Sequence, residues 1–589
     1  MRRWLAKHKY LVALAAFFAL GALIWGRPTV GGDGYYYYSI YDMFTATGKV
    51  TTTQPEKYTK FADWALGTRD GINYSSIAFH GTALMWAPFI LPASLIDQLS
   101  FLTSINDYLL TTTGITLGDG IGVLTAATTY ALFSVYCTYL WLAKYFSKRN
   151  SLVSALAIFI AQYGLFYTFT DASYTHVLVG FICALAFYLF SRATSPRSYL
   201  VLGLVLGLGT IIRAENALFA LPFCISLLAH KQIKFLSYLG AGMLSVCISL
   251  PIYSYLAYGN PFTSGYAAVG GLENGFALTN FNLLNLLFSD IRGLFIWSPL
   301  LVFALVGFYL NWRKRQNTML TAMVFVTVCV FVLFYSFWFS WWAGGSVGQR
   351  FFMGLFPLFA FGLASFHQHL HQGVGKIKLV WRGWLMILLL SSFFAVFIAR
   401  TYSNFDRNQF VKFAVPEKIM GQVPESEQYS VFDLLGLGYR EYRLAEFSEL
   451  VQLPLKLVLT PHLDGRRSLI QMVGLVGRAG ELENGSLIAI RELRGDQIIY
   501  TIDTENLQSL TVVIKQNEQS LTSVEKVNSQ QITIVCEKNY QCELYDQVVT
   551  LNANDEFKIY VYEGSQTEVK LSNNQIYFTA EQAKLHISK

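Results

Sequence analysis

The sequence predicts a polytopic α-helical membrane protein that ends in a soluble, mostly β domain. Three observations predict it. Of the 589 residues, 53% are hydrophobic and only 14% are charged, whereas a soluble chain carries about 25% charged residues; mean hydropathy is +0.39. Up to about residue 400, apolar runs of roughly membrane-spanning length recur. Beyond it the chain turns polar and alternates, as in "DQIIYTID" and "SLTVVIKQ". Residues 1–400 are therefore expected to form a transmembrane domain and residues 401–589 a soluble one. The net charge of +7 does not indicate a nucleic-acid partner. The basic residues fall in short clusters between apolar segments, the arrangement that orients membrane helices.

The first element follows the basic start "MRRWLAKHK" and runs from Tyr10 to Gly26. No small-x-small cleavage site follows it, so an uncleaved anchor with a cytoplasmic N-terminus is favoured over a signal peptide. Further spans are expected near residues 120–142, 151–169, 175–190, 199–213, 216–229, 235–258, 293–311, 319–339, 351–366 and 379–399. That makes about eleven in all.

The joints between spans alternate in character. One set holds Lys144, Lys148 and Arg149; Arg192 and Arg197; Lys231 and Lys234; Arg313, Lys314 and Arg315; and Lys376, Lys378 and Arg382, with no acid among them. The other set holds every Asp and Glu of the membrane half. Basic joints face the cytoplasm, and an odd number of spans puts the C-terminal domain outside. The segment "FHGTALMWAPFILPASLIDQL", residues 79–99, could be a span, but counting it would place the basic clusters outside. It reads instead as an interfacial helix broken by Pro88 and Pro92, within a first outer loop running from about Arg27 to Asp119.

The cysteines agree with this topology. Cys137, Cys183, Cys224, Cys247 and Cys329 lie in apolar spans and read as small buried residues. Cys536 and Cys542, in "CEKNYQC", lie in the polar domain at a spacing that suits a disulfide in an oxidising compartment. No second Cys/His pair at ligand spacing accompanies them, so zinc is disfavoured.

The residues with chemical potential share the outer side. Asp33 stands between glycines in "RPTVGGDGYYYYSIYDMF". Arg213 and Glu215 lie in "TIIRAENALF", Arg292 in "SDIRGLFIWSP" and Arg350 in "WWAGGSVGQRFF". His176, in "TDASYTHVLVGF", opens a span at the same level. Each has a plain reading. Asp33 suits a turn, Arg213 and Glu215 a structural ion pair, Arg350 an interfacial anchor, His176 a satisfied polar residue, and Tyr35 to Tyr38 an aromatic belt. An ionisable group inside the bilayer nonetheless costs roughly 2.5–3.5 kcal/mol, so it has a partner or a task. Several arginines converging with an unpaired acid on one leaflet suit a lipid phosphate beside a general base.

The strings "GDGYYYYS", "HGTALMWAPF", "IIRAENALF", "RGLFIWSPLLVFALVGF" and "GGSVGQRFF", in this order, resemble the GT-C superfamily of membrane glycosyltransferases. The resemblance is to bacterial relatives of the dolichyl-phosphate-mannose protein mannosyltransferases, over roughly the first 400 residues. It implies a multi-pass protein of the bacterial inner membrane. It also implies an inverting transfer of a sugar from a polyprenyl-phosphate donor to a hydroxyl of a glycan, lipid or protein acceptor. On that reading Asp33 takes the acceptor's proton, and Arg213, Arg292 and Arg350 hold the departing lipid phosphate. Tyr35 and Tyr36 stack on sugar faces or pack the loop, and His176 and Glu215 join the substrate site. Many relatives carry a second acid near the first. Here the next is Asp42, so no bound divalent metal is expected. The string "WWAGG" lacks the acid of the WWD-type motif of oligosaccharyltransferases. The competing classes are a transporter or flippase of lipid-linked saccharides and a non-enzymatic envelope protein.

Overall fold

The computed structural model describes residues 8–59, 66–68, 70–99, 114–268, 275–374 and 378–403, and ten strands between 489 and 588. The chain divides into two compact units, Met1–Ile96 with Leu109–Leu459, and Asp97–Tyr108 with Thr460–Lys589.

The described part of the first unit is helical. Its longer helices are α1 (Lys9–Trp25), α2 (Gly34–Thr47), α3 (Gly81–Ala93), α4 (Leu117–Leu142), α5 (Lys148–Ala161), α6 (His176–Phe190), α7 (Pro196–Ile212), α8 (Ala220–Ala229), α9 (Ile233–Cys247), α10 (Ser249–Tyr258), α11 (Leu301–Arg313), α12 (Thr318–Ser336), α13 (Phe356–Val374) and α14 (Lys378–Ser403). Each segment expected to span the membrane carries one or two of these helices. Among the described residues, five stretches are long and apolar enough to cross a bilayer: Leu117–Leu142, Ile233–Tyr258, Thr318–Ser336, Arg350–Gln372 and Arg382–Ala399. The apolar helices Lys9–Trp25, His176–Phe190, Pro196–Ile212, Ala214–Ala229 and Leu301–Arg313 are shorter.

Local chemistry sets several boundaries. Thr116 caps α4 by accepting from the Asp119 amide, and Ser147 does the same for α5 from Asn150. Ser195 and Ser198 form a reciprocal capping box at the start of α7, with Pro196 in the first turn, where its missing N–H costs nothing. A π-helical turn, Phe166–Thr170, prolongs the chain's path beyond α5.

Among the described residues, the region expected as a long first loop holds α2, α3, a one-turn helix at Glu56–Thr59 and a short hairpin, β1 (Gly67–Thr68) with β2 (Tyr74–Ser75). The tyrosine run forms the first turn of α2. Tyr37 and Tyr38 are buried, so they are core residues and not an interfacial belt. Pro88 and Pro92 do not break α3, which runs through both. A proline removes one i→i−4 bond, but here Ala83, Trp86 and Ile90 anchor the helix in the core, with Ile90 packed directly on Gly122 of α4. Ser94–Gln98 continues as a 3₁₀ turn.

Close backbone contact holds the bundle where small residues meet. A Cβ on Gly203 of α7 would lie 2.1 Å from the Leu239 carbonyl oxygen of α9, and one on Gly242 would lie 2.2 Å from that of Leu200. Between apolar helices this small-residue packing replaces the hydrophobic drive that lipid cannot supply. Large aromatic side chains fill the interior, among them Trp141, Trp297, Trp341, Phe159 and Phe187.

In the second unit ten strands form two sheets: β3 (Ala489–Arg494), β4 (Gln497–Asp503), β5 (Ser509–Gln516), β6 (Gln519–Glu525), β7 (Gln531–Glu537), β8 (Gln541–Leu544), β9 (Glu556–Glu563), β10 (Glu568–Ser572), β11 (Gln575–Thr579) and β12 (Gln582–Ser588). The strand orders are β10-β11-β7-β4-β3 and β6-β5-β9-β12-β8. Most pairs are antiparallel; β7–β11, β5–β9 and β8–β12 are parallel. Cys536 lies on β7 and Cys542 on β8, strands of different sheets. The disulfide expected between them lies outside the described residues, as does the start of the expected second domain at 401–488 apart from the end of α14.

Candidate active site

Asp33 is the residue that α1 and α2 hold between them. It occupies the N-cap of α2 without capping it through its side chain. The preceding turn is tight: the Gly34 amide donates to Gly31 and the Tyr35 amide to Gly32. Gly32 has φ +50°, a left-handed conformation that glycine adopts without penalty. Ser173 clamps the turn from across the fold, its hydroxyl accepting from the Gly31 amide and donating to the Gly31 carbonyl.

Asp33 is not the unpaired acid that the sequence suggested. Its Oδ2 lies 2.9 Å from Nη1 of Arg350, which is only 11% exposed against 26% for Asp33. The two are 317 positions apart in the chain. Arg350 opens a 3₁₀ turn, Arg350–Leu355, that leads into α13. The glycine-rich approach allows this: Gly344 has φ +69°, and a Cβ there would come within 3.3 Å of Arg350 Nη2.

A second ion pair stands beside the first. Arg213 follows α7 in an extended conformation, and its Nε donates to Glu215 Oε1 at 2.5 Å. The same oxygen accepts from the Tyr335 hydroxyl at 2.9 Å. The Tyr335 ring stacks on Phe351, with centroids 4.4 Å apart and planes at 8°. Arg213 and Arg350 each place a guanidinium 5.9 Å from the Phe351 centroid. Glu215 is thus fixed by two donors, Arg213 and Tyr335, and Asp33 is held by Arg350.

His176 opens α6 within reach of both guanidinium charges and is buried. Among the described residues its Nε2 has no hydrogen-bond partner, and neither has Nε of Arg350. Two such orphaned groups, buried next to two arginines, form a place suited to an anion's oxygens.

The tyrosines complete the wall. Burial, and then the Asp33 carboxylate, push the Tyr36 hydroxyl well above its ordinary range, with Arg350 pulling the other way. Tyr37 is raised by burial as well, against the charge of Arg213. Tyr266 is raised by burial and also senses Arg213, Tyr37 and Asp33. All three remain protonated donors. Tyr35 packs against the core beside them.

One predicted residue, Arg292, is set differently from the other two arginines. Arg292 is fully buried with its guanidinium 4.8 Å from the Trp297 centroid, and its carbonyl accepts from Gln349. It supports the segment before Arg350. Asp42 is engaged by Lys57 and by the Tyr58 hydroxyl at 2.6 Å, and Asp119 accepts from Tyr38 at 2.5 Å. Among the described residues no group of three or more His, Cys, Asp or Glu side chains is placed to hold a metal. Tyr174, Tyr335 and Phe351 were missed by the sequence reading. Tyr174, two residues before His176, and Phe351, directly after Arg350, could have been found from those neighbours, whereas Tyr335 had no such signal.

No family model matches the chain, and no curated protein matches it. Solved structures do. ArnT from Cupriavidus metallidurans, bound to undecaprenyl phosphate, aligns over 80% of this chain and 77% of its own at 11% identity and TM-score 0.42. The archaeal oligosaccharyltransferase AglB from Archaeoglobus fulgidus, in complex with an inhibitory peptide and a dolichol-phosphate, aligns over 67% of this chain and 56% of its own at 12% identity and TM-score 0.38. At these identities and TM-scores the similarities carry no residue role and no activity to this chain.

Proposed function

We propose that this chain is a membrane glycosyltransferase. It moves a sugar from a polyprenyl-phosphate donor to an acceptor hydroxyl on the extracytoplasmic face, with inversion. The observation that carries the reading is the pairing of Asp33 with Arg350 beside Arg213 and His176. A proton acceptor and a phosphate-binding charge stand within one hydrogen bond of each other. That is what direct displacement at a sugar–phosphate bond requires.

In this mechanism the donor phosphate enters from the bilayer and takes Arg350, whose fork suits a phosphate. Asp33 Oδ2 is thereby freed. The acceptor O–H gives its proton to that carboxylate while its oxygen attacks the anomeric carbon from the face opposite the leaving group. The bond between that carbon and the phosphate oxygen breaks, and the electron pair leaves on the lipid phosphate. Arg350 and Arg213 meet the charge developing there, where electrostatic catalysis has its largest effect. Tyr36 and Tyr37, kept protonated, donate hydrogen bonds to sugar or phosphate oxygens. The sugar donor is lipid-linked, so no nucleotide is needed at this site. The reading places basic joints in the cytoplasm, about eleven spans in the membrane and the C-terminal domain outside.

The test is mass spectrometry of envelope glycans and lipid carriers from cells with and without this protein. Loss of one sugar, with its lipid-phosphate donor accumulating, is the expected result. Accumulation of a complete lipid-linked glycan on the inner leaflet would instead identify a flippase.

A further inference from the structure

We propose that Tyr174 is a positioning residue for the phosphate subsite: its ring holds Arg350 and His176 in register, so that their free nitrogens receive one anion as Asp33 departs. The proposal rests on the transferase reading above and deepens it.

Tyr174 lies in the turn between the π-helical segment Phe166–Thr170 and α6. It meets Arg350, His176 and the turn that carries Asp33. The Arg350 guanidinium lies 4.8 Å from its ring centroid, closer than to Phe351 at 5.9 Å. The His176 ring stacks on it at 5.9 Å and 20°. Its hydroxyl lies against the Asp33 turn, where a Cβ on Gly32 would come within 2.1 Å of it. The ring is 6% exposed and is backed edge-on by Tyr167 at 5.6 Å. Tyr167 is itself tied to the Arg350 segment by donating to the Val347 carbonyl at 2.6 Å.

The physical need arises from the exchange of counter-ions. While Asp33 holds Arg350, the carboxylate and the ring together fix the guanidinium. Once the phosphate competes for Arg350, the carboxylate contact is lost at the moment the fork must stay aimed. An arginine stem has many rotamers to occupy when released. A desolvated aromatic face attracts the guanidinium without using any of its N–H donors. It therefore holds Arg350 in place and leaves Nε free. His176 stacks on the same ring, and its Nε2, like Nε of Arg350, is buried without a partner among the described residues. Neither Asp33 nor Glu215 could do this, because each holds an arginine by consuming donors.

The experiment uses full-length protein in detergent and farnesyl phosphate as the probe, with farnesol as the phosphate-free control. Tyr174→Leu is expected to weaken farnesyl phosphate binding by about tenfold or more, equivalent to about 1.4 kcal/mol, and to leave farnesol binding unchanged. Tyr174→Phe and Tyr174→Trp keep the aromatic face and should stay within about threefold of wild type. A general loss of structure would lower both ligands together and lower the unfolding midpoint, so the phosphate-specific loss separates positioning from folding. If the leucine variant does not fold, Tyr174→Met supplies the same truncation. Wild-type farnesyl phosphate affinity in the non-aromatic variant, alongside loss in Arg350→Gln, overturns the role of Tyr174 and leaves the transferase reading standing. Wild-type affinity in Arg350→Gln overturns that reading and the positioning role with it.

Discussion

The Asp33–Arg350 pair should show strong energetic coupling, and a double-mutant cycle of Asp33→Asn, Arg350→Gln and the double variant measures it. At 2.9 Å and an effective dielectric of roughly 20, the gross attraction is about 6 kcal/mol. Desolvation offsets most of it. The guanidinium is 11% exposed and the carboxylate 26%, so the pair falls between a surface bridge of about 0–1 kcal/mol and a buried pair whose single removal costs roughly 3–5 kcal/mol. A coupling energy of about 1–3 kcal/mol follows. Removing Asp33 alone should be the more harmful single change to stability, because it strands the more buried charge. The assay is unfolding of purified protein in one detergent, read by near-ultraviolet circular dichroism. Single effects that add to within about 0.5 kcal/mol would refute the pairing and the exchange step built on it.

Three further outcomes follow from other parts of the fold. Tyr38→Phe removes a 2.5 Å bond to Asp119 and should cost about 1.5–3 kcal/mol, the range for a hydrogen bond to a charged group; an unchanged unfolding midpoint contradicts it. Burial lowers His80 to about 4 from 6.5. The unfolded chain therefore binds more protons between these values, and stability should fall as pH drops from about 6.5 towards 4, by at most about 3 kcal/mol. His80→Gln should flatten that slope, and an unaltered slope would remove His80 as its source. Cysteines replacing Lys148, Arg197 and Lys314 singly should be labelled from the cytoplasmic side, and labelling from outside would invert the proposed topology.

The helical architecture was legible because its signals are local. Apolar runs bounded by basic joints mark α4, α9, α12 and α13 directly, whereas the start of α7 at Pro196, capped by Ser195, lies three residues before the expected span at 199–213. The site was legible in part. Asp33, His176, Arg213, Glu215 and Arg350 were singled out for their charge in an apolar setting, and the structure gathers them. Their pairing was not legible. Asp33 has no basic neighbour in its own loop, and only folding brings Arg350 to it. The tyrosine run was misread because four identical residues carry no period, so the burial of Tyr37 and Tyr38 had to wait for the helix phase. Prolines 88 and 92 were given too much weight, since the packing of Trp86 and Ile90 is invisible in sequence. Arg292 looked equivalent to the other arginines, and only its burial against Trp297 sets it apart.

The most direct test of the central claim is turnover by purified Asp33→Asn protein with a polyprenyl-phosphate sugar donor, measured beside its affinity for farnesyl phosphate. Asparagine keeps the size of the side chain and removes the base. Turnover should fall by about 10²–10⁴, the usual contribution of a general base, while farnesyl phosphate binds at least as tightly, because Arg350 no longer has a carboxylate to leave. Wild-type turnover in this variant would contradict the claim and return Asp33 to the role of a turn residue that steadies Arg350.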